Sequence, residues 1–338
     1  MNQIEQIKKN LGPDLAILGH HYQNDNIIAY TDIKGDSLEL ARKIPELKAK
    51  YIVFCGVHFM AESAAILAQE NQMVFLPALD ARCVMADTAP ASLVEKILIS
   101  LNQEGKKIIP LAYVNSSAEV KAICGKYDGS VCTSANAPKM LAWALNQGDG
   151  VLFLPDKNLG QNMAKILGLS PGEIVTVDIR SQGKHINFGK IKDKKLFLWP
   201  GVCAIHFRFK AEQLNHIRKT DPKAKIIVHP ECDPDVVAIA DASGSTSFII
   251  KYVREAEPGT RIYVGTEDNL VHRLANEYRG QKEVLPITPS LCSNMAKITE
   301  QNLLHTLKNM KPENKITVSE DIAVLARKAL EKMLEVCS

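Results

Sequence analysis

Residues 15–22 read Leu-Ala-Ile-Leu-Gly-His-His-Tyr, an apolar run that ends in polar side chains. Short runs rich in Ile, Val and Leu are typical of buried strands in a parallel sheet whose two faces are covered by helices. The arrangement occurs twice more, because residues 108–115 read Ile-Ile-Pro-Leu-Ala-Tyr-Val-Asn and residues 226–231 read Ile-Ile-Val-His-Pro-Glu. We therefore predict three parallel strands, each with polar groups at its carboxyl end.

A small hydroxyl residue follows each of these strands, at the point where a helix is predicted to begin. Ser and Thr favour the capping position of a helix, but a helix N-terminus is also a natural binding site for anions. Both interpretations stay open for each residue taken alone. The three segments are Asp36-Ser37-Leu38, Thr133-Ser134-Ala135 and Ser245-Thr246-Ser247.

Each unit continues with a second strand and helix, and then with a third strand that leads into a cysteine. In the first and third copies, 17 residues separate the strand-end residue from the hydroxyl, and 46 separate the hydroxyl from the cysteine. In the middle copy these intervals are 21 and 69, and we assign the extra residues to surface insertions at 125–130 and 170–195. Matching intervals in two copies indicate a triplicated chain. The residues that define them are His20, Ser37 and Cys83, then Tyr113, Ser134 and Cys203, then His229, Thr246 and Cys292.

The repeat predicts an α/β fold of three αβα sandwich domains with parallel sheets, related by an approximate threefold axis. We expect residues 1–83 to form repeat 1, completed by helices within 293–338. Residues 84–203 would form repeat 2 with its insertions, and residues 204–292 repeat 3. In open parallel sheets, ligands bind at the carboxyl ends of the strands. Three such ends could face one central cavity.

The three equivalent cysteines, Cys83, Cys203 and Cys292, would then meet near the axis. The other five of the eight cysteines have no equivalents and are expected to be packing residues, and there is no CxxC pair. Three thiolates suit an iron–sulfur cluster or zinc. A 4Fe–4S cluster with three Cys ligands leaves one iron open, which can act as a Lewis acid in a dehydration. Zinc with three Cys ligands and a water remains an alternative.

Acid, base and hydrogen-bonding groups surround the same predicted cavity. Such groups at equivalent strand ends are what acid–base chemistry requires, although a single His at a strand end is more often structural. The candidates are His20, Tyr22, Tyr113, Asn115, His229 and Glu231, together with the hydroxyls of Ser37, Ser134 and Thr246.

Composition excludes several classes of protein. A formal net charge of +3 over 338 residues, without a basic stripe, disfavours nucleic acid as a partner. No apolar stretch is long enough to span a bilayer, and residues 1–10 lack the apolar core of a signal peptide, so we expect a cytoplasmic protein. A nucleotide-binding Rossmann protein is disfavoured because no GxGxxG follows a strand.

With these residues in view, the chain resembles the quinolinate synthase family over nearly its whole length. The resemblance implies three α/β domains around a pseudo-threefold axis and a central 4Fe–4S cluster with three Cys ligands and one open iron. It also implies condensation of iminoaspartate with dihydroxyacetone phosphate to quinolinate, phosphate and water, for NAD biosynthesis. The matching segments are Gly19-His20-His21-Tyr22, Gly35-Asp36-Ser37, Phe59-Met60-Ala61-Glu62, Cys83 with Ala86-Asp87, Tyr113-Val114-Asn115, Thr133-Ser134, Gly201-Val202-Cys203, His229-Pro230-Glu231-Cys232, Ser245-Thr246 and Cys292.

By position, the resemblance implies that Tyr22 and Glu231 carry out proton transfers, with His20 and Tyr113 also catalytic. One departure is visible: some family members carry a CxxCxxC run near the last ligand, whereas Cys292 stands alone. Thiol–disulfide regulation tied to that run is therefore not expected. A functional coupling to an aspartate-oxidising enzyme is implied. The residues implied to bind substrate are His20, Ser37, Tyr113, Asn115, Ser134, His229, Glu231 and Thr246.

Two rival functions share some of these features. A hydro-lyase of the aconitase type would use the open iron on a hydroxy acid and would need no phosphate site. An α/β sensor that uses a cluster to detect oxygen or iron would not need acid–base groups at the strand ends. Such a sensor usually carries a partner-binding or DNA-binding module as well, and none is recognisable here.

Overall fold

A computed structural model describes residues 2–183 and 191–337. Within these residues the strands form three sheets, and every pairing between named strands is parallel. The α/β class with parallel sheets is thus confirmed. The strands are β1 Leu15–His20, β2 Ile33–Gly35, β3 Tyr51–Cys55, β4 Met73–Phe75, β5 Ile108–Tyr113, β6 Ser130–Cys132, β7 Gly150–Leu154, β8 Ile174–Thr176, β9 Leu196–Leu198, β10 Lys225–Val228, β11 Ala242–Ser243, β12 Arg261–Gly265 and β13 Glu283–Pro286.

Helices connect the strands, as parallel pairing requires. Their apolar faces cover the sheets; in the third sheet, Ile249 and Val253 pack with the strand residues Ile227 and Ile262. Among the described residues, no helix is both long and apolar enough to cross a membrane. The α-helices are α1 Gln3–Leu11, α2 Asp25–Ile28, α3 Ser37–Lys43, α4 His58–Leu67, α5 Val84–Asp87, α6 Ala91–Leu101, α7 Ala118–Lys126, α8 Ala137–Leu145, α9 Lys157–Ile166, α10 Ala211–Thr220, α11 Pro234–Ile239, α12 Thr246–Glu255, α13 Asp268–Glu277, α14 Glu300–Asn309 and α15 Glu320–Val336.

The three sheets have the same strand order. It is β2-β1-β3-β4 in the first, β11-β10-β12-β13 in the third, and β6-β5-β7-β9 in the second, which adds β8 at its edge. The register repeats as well. In the outer sheets, paired residues lie 15 positions apart across the first pair of strands and 22 apart across the last pair. In the second sheet these offsets are 19 and 45, so it carries the same four and 23 extra residues that the sequence intervals predict.

The location of the four-residue insertion was predicted only in part. Lys126 and Asp128 are exposed beside a turn, but Gly125 is buried within α7 and Ser130 is buried within β6. A Cβ on Gly125 would lie 1.9 Å from the Leu325 carbonyl oxygen of α15, so only Gly allows this close approach. The extra residues instead lengthen α7 to nine residues, against four in α2.

The second insertion adds structure of its own. Residues 170–195 include β8, which pairs in parallel with β9 and extends the second sheet. The stretch is therefore a sheet extension in part, and its residues 184–190 lie outside the described structure. The polar composition of the segment concealed the short apolar strand Ile174–Thr176.

The chain divides into two compact units. One comprises residues 1–83, 208–229 and 235–318, and the other comprises 84–207, 230–234 and 319–338. The first unit contains two of the sheets and the second contains one. Helix α15 belongs to the second unit, where Ser130 donates a hydrogen bond to the Ala329 carbonyl at 3.0 Å. We keep the three-repeat boundaries as a proposal, but assign α15 to repeat 2 for this reason.

Candidate active site

Three backbone hydrogen bonds occupy equivalent places in the three repeats. In each, an N–H at the start of the helix after the third strand of the repeat (β3, β7 or β12) donates to the carbonyl two residues before a cysteine. The bonds run from His58 to Ala81 at 2.8 Å, from Lys157 to Gly201 at 2.8 Å, and from Asp268 to Ser290 at 3.0 Å. Cys83, Cys203 and Cys292 therefore lie in loops of one construction, each after the last strand of its repeat (β4, β9 or β13), and each repeat has at least one more strand than the sequence predicted.

Burial separates these three cysteines from most of the others. Cys83, Cys203 and Cys292 are half-buried, whereas Cys55, Cys124, Cys132 and Cys232 are fully buried. Burial raises the pKa of Cys55 and of Cys124 to about 12, and it also raises the pKa of Cys132 well above its usual value. Only a thiolate is a good metal ligand, so these buried thiols are poor candidates. Cys337, also half-buried, lies near the chain end outside the repeat pattern.

Cys203 lies beside a buried His and a buried Glu. One donor atom from each of Cys203, His206 and Glu231 lies within 4.8 Å of the other two, which makes this group a possible metal site. His206 Nδ1 and Glu231 Oε2 are 2.6 Å apart, and both residues are 2% exposed. Two ligands of a tetrahedral zinc ion would be about 3.3 Å apart at ordinary bond lengths. The 2.6 Å separation thus indicates a charge-assisted hydrogen bond between imidazole and carboxylate.

Helix α9 fixes the segment that carries Glu231. Asn158 and Asn162 lie one turn apart on α9, so their side chains share a face of the helix. Asn162 Nδ2 donates to the carbonyls of Pro230 and Cys232 at 2.8 and 2.9 Å, and Asn158 Nδ2 donates to the Glu231 carbonyl at 3.3 Å. The Glu231 side chain therefore projects from a backbone that is held at three successive residues.

A second buried carboxyl group lies close to Glu231. Asp156 caps α9 by accepting a hydrogen bond from the Leu159 N–H at 2.8 Å, and it has no exposed surface. Burial and then the charge of Glu231 raise the pKa of Asp156 well above its usual value. Two such carboxyl groups disfavour ionisation of both together. Asp156 is therefore expected to carry a proton when Glu231 is ionised.

In the other unit, His20 and Tyr22 form one hydrogen-bonded group. Tyr22 donates its backbone N–H to His20 Nδ1 at 3.1 Å, and the two rings meet edge to face with centroids 4.6 Å apart. Neutral His20 must then carry its proton on Nε2, where it can donate to a ligand. The Tyr22 hydroxyl lies 2.7 Å from Thr266 Oγ1 and 3.2 Å from Thr246 Oγ1. Predicted site residues from repeats 1 and 3 thus meet here.

The capping interpretation is wrong for all three predicted hydroxyls, because the cap of α8 is Asn136 and the other two helices are also capped by neighbouring residues. The other two caps are Asp36 and Ser245, so Ser37 and Thr246 are the first residues of α3 and α12. Ser134 lies further out, three residues before α8, in a turn closed by a bond from the Thr133 N–H to Asn136 Oδ1 at 2.7 Å. Since neighbouring residues cap both helices, the hydroxyls of Ser37 and Thr246 are not needed for that purpose.

The remaining predicted residues lie at strand ends. Tyr113 is the last residue of β5 and His229 follows β10, and both are buried. Asn115 Oδ1 is buried and has no hydrogen-bond partner among residues 2–183 and 191–337. Buried polar atoms almost always have a partner, so this oxygen is a candidate to bind a ligand. Cys203, Glu231, Tyr113, Asn115 and Ser134 belong to one unit, and Cys83, Cys292, His20, Tyr22, Ser37, His229 and Thr246 to the other.

Several residues at these sites escaped sequence reasoning. His206 follows Cys203 by three residues, and this CxxH spacing was a usable signal for it. Asp156, Thr266 and Glu267 lie at the equivalent junction between the third strand and its helix in repeats 2 and 3. A polar residue after a buried strand was the rule applied to the first strand of each repeat. Applying it to the third strand would have found all three.

The first turn of α3 has an electrostatic feature that can be measured. The Glu39 carboxylate accepts the Asp36 N–H at 2.8 Å, and His21 Nε2 lies 3.7 Å from it. The nearby His21 imidazole, together with the hydrogen bond from the Asp36 N–H, lowers the pKa of Glu39 to about 2 against the opposing effect of partial burial. A depressed pKa stabilises the fold above the unfolded pKa of about 4.3, and this contribution is lost as the pH falls towards 2.

We therefore expect Glu39→Gln to destabilise the protein at pH 7 and to lose this effect as the pH falls below about 4.3. Urea unfolding of both proteins between pH 7 and pH 3 measures the difference. The exposed Glu70→Gln serves as the matched control. A Glu39 carboxyl that titrates near 4.3 in a carbon-13 NMR titration would contradict the prediction.

Three parallel sheets of one strand order, an equivalent cysteine loop in each repeat and a buried His206–Glu231 pair beside Cys203 indicate an α/β enzyme with a thiol-containing site. The family model of the quinolinate synthetase A protein matches residues 2–335. The chain is 44% identical over 335 residues to the quinolinate synthase of Geobacillus thermodenitrificans, covering 97% of this chain and 91% of that protein. It is 43% identical over 339 residues to that of Streptomyces coelicolor, covering 97% and 86%. For Acidobacterium capsulatum the identity is 41% over 343 residues, covering 99% and 92%.

The chain belongs to the quinolinate synthetase A protein family. It is accordingly an enzyme that forms quinolinate from small-molecule substrates and serves NAD biosynthesis. The predicted family is thus confirmed, and the sensor and hydro-lyase alternatives are set aside.

Proposed function

We propose that the enzyme condenses iminoaspartate with dihydroxyacetone phosphate to quinolinate, releasing phosphate and water, and that Cys83, Cys203 and Cys292 hold a 4Fe–4S cluster with one open iron. The observation that carries the reaction is the family match over residues 2–335. The ligand set is supported by the three equivalent loops and by the full burial of four of the other five thiols; the fifth, Cys337, lies outside the repeat pattern. When bound, such a cluster supplies a Lewis acid for dehydration.

Glu231 is proposed as the base that removes a proton during condensation and ring closure. Its carboxylate is buried, and its hydrogen bond to His206 Nδ1 orients it. As Glu231 takes up a proton, the neighbouring Asp156 can adjust its own ionisation, since the two carboxyl groups disfavour joint ionisation. The pair thereby keeps the charge of these two buried side chains nearly constant.

His20 and Tyr22 are proposed to act on substrate oxygens. His20 presents an Nε2–H donor, because its Nδ1 is occupied by the Tyr22 N–H. The Tyr22 phenol can deliver a proton to a leaving hydroxide and recover it through the hydroxyls of Thr246 and Thr266. Tyr113 is proposed to assist proton transfer as a further hydroxyl.

The substrate carboxylates and phosphate are proposed to bind to side-chain donors. Ser37, Ser134 and Thr246 supply hydroxyls, His229 supplies an imidazole, and Asn115 supplies an amide. The buried Asn115 Oδ1, which has no hydrogen-bond partner among the described residues, is an acceptor and would take a hydrogen bond from an N–H or O–H of the substrate, while Nδ2 of the same amide can donate to an anion. Four of these groups are neutral donors, so they bind an anion less tightly than a charged partner in an ion pair would.

An imine hydrolyses in water, so iminoaspartate must reach the enzyme soon after it forms. We propose functional coupling to an enzyme that oxidises aspartate, and a reducing cytoplasmic compartment in which the ligand thiols stay reduced. None of the eight cysteines, all within the described residues, forms a disulfide.

Anaerobic purification followed by iron, sulfide and zinc analysis tests the cofactor, and a quinolinate assay with freshly generated iminoaspartate tests the reaction. We expect four irons and four sulfides per chain together with quinolinate formation. One zinc per chain without sulfide would instead favour the group of Cys203, His206 and Glu231 as a mononuclear site, and would overturn the proposed cofactor.

A further inference from the structure

We propose that Glu267 is a positioning residue that holds the loop of Cys292 in the conformation needed for ligation. The inference rests on the proposed function, because it concerns the third ligand of the cluster. Glu267 follows β12 and caps α13, and no part of it is exposed.

The Glu267 carboxylate bonds to both the loop and the helix. Its Oε1 accepts the Cys292 N–H at 3.3 Å and Asn269 Nδ2 at 3.1 Å, while its Oε2 accepts the Asn269 N–H at 2.9 Å. Both oxygens of this buried group are thus satisfied by donors from one helix turn and one loop. A buried hydrogen-bonded carboxylate holds its partners firmly, since a broken bond leaves an unsatisfied polar group.

This bond adds to the backbone bond that all three repeats share. The Asp268 N–H already ties the carbonyl of Ser290 to the helix, two residues before Cys292. Glu267 ties the loop a second time, at the cysteine itself. The two bonds bracket residues 290–292 and restrict the direction in which the Cys292 side chain can leave the backbone.

The position of Glu267 carries a carboxylate in two of the three repeats. In repeat 2, the equivalent capping residue is Asp156, which likewise accepts a hydrogen bond from the N–H of its cysteine, Cys203. In repeat 1, the equivalent residue is Val57, which cannot accept a hydrogen bond. The loop construction therefore does not need a carboxylate, and its presence before Cys292 calls for a reason beyond the fold. The contacts indicate that this reason is restraint of the Cys292 loop.

Helix capping is the competing explanation, and a substitution can separate the two. Glu267→Ser keeps a residue that caps helices well but is too short to reach the Cys292 N–H. Glu267→Gln keeps the length and one acceptor oxygen. Glu257→Gln, at an exposed position of the same repeat, is the matched control.

The first measurement uses cluster-free protein, so that it does not depend on the cofactor. Hydrogen–deuterium exchange of the peptide containing residues 288–295 should be at least 10-fold faster in Glu267→Ser than in the native chain. The Gln and control variants should exchange within about threefold of the native rate. If the Ser variant does not fold, Glu267→Thr, a bulkier capping residue, replaces it.

The second measurement follows iron release to a chelator from reconstituted enzyme, together with the electron paramagnetic resonance spectrum of the reduced cluster. Release should be at least 10-fold faster in the Ser variant, with an altered spectrum, and Gln should restore both. Native exchange and native release in the capping variants would overturn the proposal. If the native chain binds no cluster, the proposed function fails, whereas exchange in cluster-free protein still decides whether Glu267 holds the loop.

Discussion

A Glu231→Gln enzyme should bind iron and sulfide as the native enzyme does but form quinolinate about 10²–10⁴-fold more slowly, which is the range for loss of a general base. The amide has the shape of the carboxylate and can still bond to His206, 2.6 Å away in the native protein. It cannot accept a proton at neutral pH. The bonds from α9 hold the backbone of residues 230–232, so the substitution should leave the loop in place.

Steady-state assays with both substrates at saturation measure the effect on kcat, and iron analysis verifies the cofactor. The exposed Glu212→Gln in α10 is the matched control and should have native kcat. Because general-base loss acts on the chemical step, KM should change much less than kcat. A Glu231→Gln enzyme with native kcat would exclude Glu231 as the base, whatever the state of the cluster.

The fold was largely predictable because a parallel sheet imposes strict rules on the chain. Buried strands must be apolar, and each crossover needs a helix, so the intervals of 17 and 46 residues in the outer copies reflect one set of element lengths. The structure returns the same excess of four and 23 residues in the middle sheet. Because the topology fixes the lengths of the strands, helices and connections, the intervals between equivalent residues can be read from the sequence.

The positions of the extra residues were less predictable. An added turn of α7 reads in sequence much like a loop that contains Gly125 and Gly129, since glycine normally marks a break. The structure uses Gly125 inside a helix, where the Leu325 carbonyl approaches too closely for any side chain. That requirement comes from α15, 200 positions further along the chain, and no local pattern carries it.

The residues of the candidate site were likewise predictable only in part. Residues that follow first strands, such as His20 and Glu231, and the cysteines after the last strands were found by equivalence between copies. His206 has no counterpart in the other repeats and Glu267 has only Asp156, so the comparison of first-strand ends and cysteines did not reach them. Their contacts, the 2.6 Å bond to Glu231 and the 3.3 Å bond from Cys292, indicate their roles.

Replacing Cys83, Cys203 or Cys292 singly with Ser should remove most of the visible absorbance of the cluster and nearly all quinolinate formation. Serine offers a hard, poorly acidic oxygen where iron of the cluster prefers a soft thiolate. Each loop is tied to its helix by the same backbone bond, so no one of the three is expected to be dispensable. Cys337→Ser is the matched control, because Cys337 is also half-buried but lies outside the repeat pattern.

The pattern across the three variants discriminates between the two possible metal sites more sharply than any one of them. If the cluster is held by three equivalent thiolates, each variant should lose iron and sulfide to a similar extent. If metal is held instead by Cys203, His206 and Glu231, only Cys203→Ser should lose it, and the metal lost should be zinc without sulfide. Equal losses at Cys83 and Cys292 would thus mean that thiols from repeats 1 and 3 bind the same cofactor as Cys203. The repeated loop construction predicts this result, whereas a mononuclear site at Cys203 excludes it.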